Sequence, residues 1–201
     1  MTINKKRGTL EHDFDNEFTA SDIQAQYAQV GISISSQEAE DIYDAVRYYS
    51  KEGYDAMIQS WRKNQSGAPL SSVEKRNLEQ YKLCEEYLKV APTFTYGSGD
   101  QQGEVYRGVY RGFNAEGAAY FNQVLSLKPG DKWSMEKRPT SLTSSFDIAQ
   151  EFAGRQGAII HLPVKKLKNS VSIVAISPSM SEREVFSADY DWKVSRVSDL
   201  R

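Results

Sequence analysis

Two kinds of apolar spacing divide this chain, and their order constrains its architecture more than any other feature. Up to residue 92 the apolar residues recur at helical intervals: Ile42, Val46 and Tyr49, then Tyr54, Ile58 and Trp61, then Leu78, Tyr81, Cys84 and Leu88. Beyond Thr93 they alternate or run in short blocks, as in GEVYRGVY, GAIIHLPV, SVSIVAI, REVFSAD and WKVSRVSDL. Helices first and strands second, with no βαβ alternation, predict an α+β fold rather than a parallel doubly wound sheet.

Local signals mark the element ends. Thr19-Ala20-Ser21-Asp22 precedes the short amphipathic stretch DIQAQYAQV. Ser35 with Glu38, and Ser71 with Glu74, form S-x-x-E capping boxes that open two helices. Gly53 is expected to break the first of these, NQSGAPLSS is a loop, and Pro92 closes the last helix of the series. Asn114 is a candidate N-cap for AEGAAYFNQVL, and Lys128-Pro129-Gly130-Asp131 a turn into the extended KWSMEKRPTSLTSS. DIAQEFAG predicts one more short helix. The organisation expected is a tail or leader over residues 1–20, a helical subdomain over 21–92 and a β-rich core over 93–201, the latter two forming one domain.

Composition removes several function classes. With 39% hydrophobic and 26% charged residues in 201, the chain has enough apolar content for a substantial core. A formal net charge of -2 supplies no field to draw it to nucleic acid or anionic lipid, and neither partner is expected. The basic runs Lys5-Lys6-Arg7 and Lys165-Lys166-Leu167-Lys168 fit a frayed tail and a solvated edge. Cys84 is the only cysteine, so no internal disulfide forms, and its place on an apolar stripe suits a buried, inert thiol. His12 and His161 lie far apart without cysteine company, which leaves no zinc pattern, and no Ser-His-Asp motif is present. Without a signal-peptide hydrophobic region or an apolar run near the ~20 residues of a membrane span, the chain is expected to be a cytosolic monomer where it is made.

Three strand segments carry polar groups that a fold alone does not need: Arg107 in VYRGV, Ser141 in TSLTSS, and Glu182 with Glu184 in SEREVF. If SEREVF is a strand, its two carboxylates share one side and repel. In this order, Tyr106-Arg107-Gly108, Ser141-Leu142-Thr143 and Glu182-Arg183-Glu184 resemble the arginine, serine and glutamate motifs of the R-S-E class of mono-ADP-ribosyltransferases. The spacers match too: SLTSSFDIAQEFA is similar to that family's serine motif and Phe-Ala helix, and EREVFSADYDWKVSRV to its Glu-x-Glu strand and final strand. Tyr49-Ser50-Lys51-Glu52-Gly53-Tyr54 resembles its Tyr-Thr-x-x-Gly-Tyr turn. The resemblance spans about residues 36–201, with spacing closest to small arginine-modifying enzymes of T-even phages and to bacterial toxin domains. The pattern departs at Leu142 and Thr143, at Ile58-Gln59 where the family often has asparagine, and at Arg111, in a second Tyr-Arg-Gly. Thr143-Ser144-Ser145 offers an alternative register for the serine motif, and Arg111 an alternative to Arg107.

The resemblance implies two mainly antiparallel sheets packed crosswise around an NAD cleft, with the helical part beside it. It implies NAD as substrate, no metal, and a host protein in the cytosol as acceptor. Glu184 would stabilise the cationic ribose through its 2′-hydroxyl, Ser141 would orient Glu184, and Arg107 would hold phosphate or ribose oxygens. Glu182 would receive the acceptor guanidinium, as glutamate at that place accompanies arginine modification. Gly108, Thr143 and Arg155 of Gly154-Arg155-Gln156-Gly157 would complete the dinucleotide site. Residues 177–181 would meet the acceptor protein. An NAD glycohydrolase, or a non-catalytic interaction domain of the same fold, are the alternatives.

Overall fold

The computed structural model describes residues 19–91, 94–95, 103–112, 114–135, 139–164, 166–167, 170–172, 184–188 and 192–201. Among the described residues four helices precede the strands: α1 (Ala20–Gln29), α2 (Ser36–Tyr48), α3 (Tyr54–Gln65) and α4 (Ser72–Val90). Both capping boxes form, with Ser35 and Ser71 hydroxyls accepting from the Glu38 and Glu74 amides and the two carboxylates returning to the Ser35 and Ser71 amides at 2.7 Å. Lys63 of α3 holds Glu74 at 2.7 Å and so ties the start of α4 to its neighbour.

Gly53 does not end a helix. Tyr49–Gly53 forms a π-helical turn that carries α2 directly into α3, and Gly53 itself is right-handed helical. A Cβ at Gly53 would lie 2.5 Å from the Tyr48 ring, so glycine here admits an aromatic side chain against the backbone rather than breaking the run.

The described strands are β1 (Phe94–Thr95), β2 (Gly103–Val109), β3 (Lys132–Trp133), β4 (Thr140–Thr143), β5 (Ala158–Val164), β6 (Lys166–Leu167), β7 (Ser170–Ser172), β8 (Glu184–Ser187), β9 (Trp192–Lys193) and β10 (Arg196–Asp199). Helix α5 (Ala115–Ser126), capped by Asn114, follows β2, and α6 (Phe146–Ala153), capped by Ser145, follows β4. The single run WKVSRVSDL divides into two strands because Val194 exchanges hydrogen bonds with Gly130 and Asp131 while Ser195 turns to the His161 carbonyl. β9 therefore pairs with β3, and β10 with β5.

All pairings among the described residues are antiparallel. The described strands form one six-stranded sheet, β10-β5-β2-β4-β8-β7, and two two-stranded ribbons, β1-β6 and β3-β9, where two crosswise sheets were expected. The physical reason is a narrow seam. β2 and β4 meet at one pair, Tyr106 with Thr143, so β10-β5-β2 and β4-β8-β7 are halves hinged on a single rung.

Apolar residues cover the sheet from two sides. Ile42, Val46, Tyr49, Ile58, Tyr81 and Leu88 of the helical half share a core with Phe186 of β8. Its neighbour Val185 instead joins Val105, Leu142 and Ile160 against Phe121, Trp133 and Trp192, as strand alternation requires. Complete burial of Phe186 contributes about 2–3 kcal/mol and fastens β8 to the helices.

Candidate functional site

A cleft of about 370 Å³ opens where β2 and β4 separate, facing the π-helical turn. Its walls are Tyr106, Arg107, Gly108 and Tyr110 from β2 and its end, Ser141–Thr143 from β4, Tyr49–Lys51 and Tyr54 from the helices, and Phe152 from α6. That volume lies within the range of small-molecule sites.

Arg107 spans the seam. Its Nη1 donates to the Ser141 carbonyl at 2.8 Å and its Nη2 to the Tyr54 hydroxyl at 3.5 Å. Among the described residues Arg107 makes no ion pair, so its charge stays available to an anion. Arg111 is exposed beyond the end of β2 and does not line the cleft.

The serine motif separates by role. Thr143 Oγ1 accepts from the Ser145 amide at 3.1 Å, and Ser145 Oγ accepts from the Ile148 amide at 3.4 Å, so this pair shapes the entry to α6. The Ser141 hydroxyl is buried and has no hydrogen-bond partner among the described residues. An unpaired buried hydroxyl costs about 1–3 kcal/mol.

Glu184 is the first residue of β8. Its backbone stands opposite Thr143, which stands opposite Tyr106, so one lateral row crosses the seam through all three strands. Glu182 and the expected acceptor loop at 177–181 lie outside the described residues. Gly108 has a structural reason to lack a side chain: a Cβ there would lie 2.1 Å from the Ala149 carbonyl, where α6 rests on β2. Arg155 sits exposed on the turn after α6 and is not part of the cleft wall.

Behind Tyr106 lies a polar group that sequence reasoning did not assign to the site. His161, fully buried on β5, pairs with Tyr106 in register and meets its ring edge-on at 5.2 Å. Arg196 Nε donates to its Nδ1 at 3.2 Å, which leaves Nε2 as the protonated nitrogen, donating to Ser198 Oγ at 2.9 Å. Burial, then the Arg196 charge, depress the imidazole pKa below its usual value, against the opposing pull of the Glu104 carboxylate 3.5 Å away. Among the described residues no cluster of His, Cys, Asp and Glu is placed to hold a metal ion. Cys84 is buried and burial raises its thiol pKa, which suits an unreactive core residue.

The aromatic residues of the wall stand within the quoted motifs but carried no site assignment there. Tyr49 and Tyr54 flank the π-helical turn, while Tyr110 and Phe152 are half exposed, at 47% and 54%. Tyr110 belongs to the second Tyr-Arg-Gly and Phe152 to the Phe-Ala helix, but spacing alone does not show which rings face one cleft.

No protein-family model matches the sequence, and no curated protein matches it. Among solved structures, the chain is similar to Exoenzyme S from Pseudomonas aeruginosa, in a complex with human 14-3-3 protein beta bound to carba-NAD. The two share 16% identity over 91% of this chain and 78% of that one, with a TM-score of 0.45.

Proposed function

We propose that the chain cleaves NAD and transfers ADP-ribose to an arginine side chain of a host protein, releasing nicotinamide. The observation that carries this reading is the composition of the cleft wall. Among the described residues that line it, Arg107 and Lys51 are the charged ones and five of the twelve are aromatic. Two cations suit a pyrophosphate, rings suit two flat bases, and Ser141 stands in the same wall.

In this reading the bond between the nicotinamide nitrogen and ribose C1′ breaks, and its electron pair leaves on nicotinamide. Positive charge builds on the ribose, as in glycoside hydrolysis. The Glu184 carboxylate holds the ribose 2′-hydroxyl and stabilises that charge, with Ser141 orienting it. A guanidinium nitrogen of the acceptor then bonds to C1′ and gives up a proton. Arginine, with a pKa above ~12, is a poor nucleophile unless a carboxylate draws that proton away late in the attack, the part assigned to Glu182. No step needs a metal.

Substituting Glu182→Gln tests the acceptor assignment. Protein labelling from NAD is expected to collapse while NAD hydrolysis to free nicotinamide persists. Equal loss of both counts against a role for Glu182 at the acceptor. Mass-spectrometric mapping of the label in a host lysate decides the residue modified: arginine is expected, and asparagine or cysteine overturns the arginine assignment.

A further inference from the structure

We infer that Lys51 is a second phosphate contact of the cleft, delivered by the π-helical turn; this rests on reading the cleft as a dinucleotide site. Lys51 lies at the centre of Tyr49–Gly53, on the helical wall, while Arg107 lies on the sheet wall. A π-helical turn accommodates an extra residue within a helix and displaces its side chains from α-helical positions. Here the turn is pinned at both ends to the strands of the site. The buried Tyr49 ring packs at 4.1 Å on Phe186 of β8, and the Tyr54 hydroxyl meets Arg107. The two tyrosines meet edge-on at 5.3 Å, closing the turn on itself.

Between those anchors Ser50 and Lys51 line the cleft. Lys51 is exposed and, among the described residues, has no carboxylate partner. Its position is therefore not explained by an ion pair or by packing. A compact ammonium on one wall and a forked guanidinium on the other can hold both phosphates of a pyrophosphate from opposite sides. The helical half then acts as the second wall of the binding site as well as support for the sheet.

Titration of the full chain with NAD, ADP and nicotinamide riboside tests the assignment. Lys51→Ala is expected to weaken NAD and ADP about tenfold, the loss of one charge-assisted hydrogen bond. It should leave affinity for nicotinamide riboside, which lacks the pyrophosphate, unchanged, and leave the melting temperature unmoved. Lys51→Arg is expected to restore most of the binding. Wild-type affinity for ADP in Lys51→Ala overturns the inference. A wild-type chain that binds ADP but releases no nicotinamide from NAD overturns the transferase reading and leaves the Lys51 comparison decisive on ADP alone. A wild-type chain that binds neither overturns both.

Discussion

Ser141 and Arg107 show how one seam serves two purposes. Where β2 leaves β4, Arg107 donates to the Ser141 carbonyl while keeping its charge at the cleft. The neighbouring hydroxyl stays unpaired among the described residues. Removing it separates function from stability. Ser141→Ala is expected to leave the melting temperature within the error of a surface change, since an unsatisfied group is deleted. In the proposed reaction it should lower nicotinamide release about tenfold or more, because Glu184 loses its orienting donor. A large fall in melting temperature with unchanged turnover assigns the serine to structure instead. Both residues were named in the sequence through the motifs Tyr106-Arg107-Gly108 and Ser141-Leu142-Thr143, and the structure brings both to one cleft wall. Lys51 and the aromatic wall were not assigned to the site, since only the packing of helices on the sheet brings them to the same space.

Helices were legible where the sequence carries its own boundary chemistry. The serine-glutamate boxes opened α2 and α4 as expected, whereas Gly53 was misjudged because its use is a contact with Tyr48 that spacing cannot reveal. Gly108 makes the same point for the junction of β2 and α6. Gly108→Ala forces a methyl group to within 2.1 Å of the Ala149 carbonyl, so α6 must shift. Overpacking of this kind destabilises by about 1–3 kcal/mol, measurable by urea denaturation. The α4 cap predicts a pH response. Hydrogen bonds from Lys63, then from the Ser71 amide and hydroxyl, lower the Glu74 pKa from 4.5 to about 2. A carboxylate held lower in the folded chain contributes stability above its unfolded pKa and loses it as pH falls through the folded value. The wild type should therefore lose its advantage over Glu74→Gln between pH 4.5 and about 2, as read by thermal melting across that range. A constant difference between the two chains throughout the range contradicts the cap's electrostatic role.

Across the whole molecule, the α+β order was plain from the change of apolar period near residue 92. The joining of the two sheet halves was not, because a single rung at Tyr106 and Thr143 is a property of strand divergence rather than of any residue pattern. That divergence makes the cleft, and the row from Tyr106 through Thr143 to Glu184 crosses it. Helices anchored on Phe186 then close the other side, so that one buried ring links the core to the proposed chemistry. The proposed reaction requires this cleft to break the nicotinamide-ribose bond with the carboxylate of Glu184. The most direct measurement is the rate of nicotinamide release from NAD by the wild-type chain and by Glu184→Gln, at matched melting temperatures. Steady release by the wild type and a fall of about 10²-fold or more in the variant is the result predicted. No release by the wild type, or equal release by both, contradicts it.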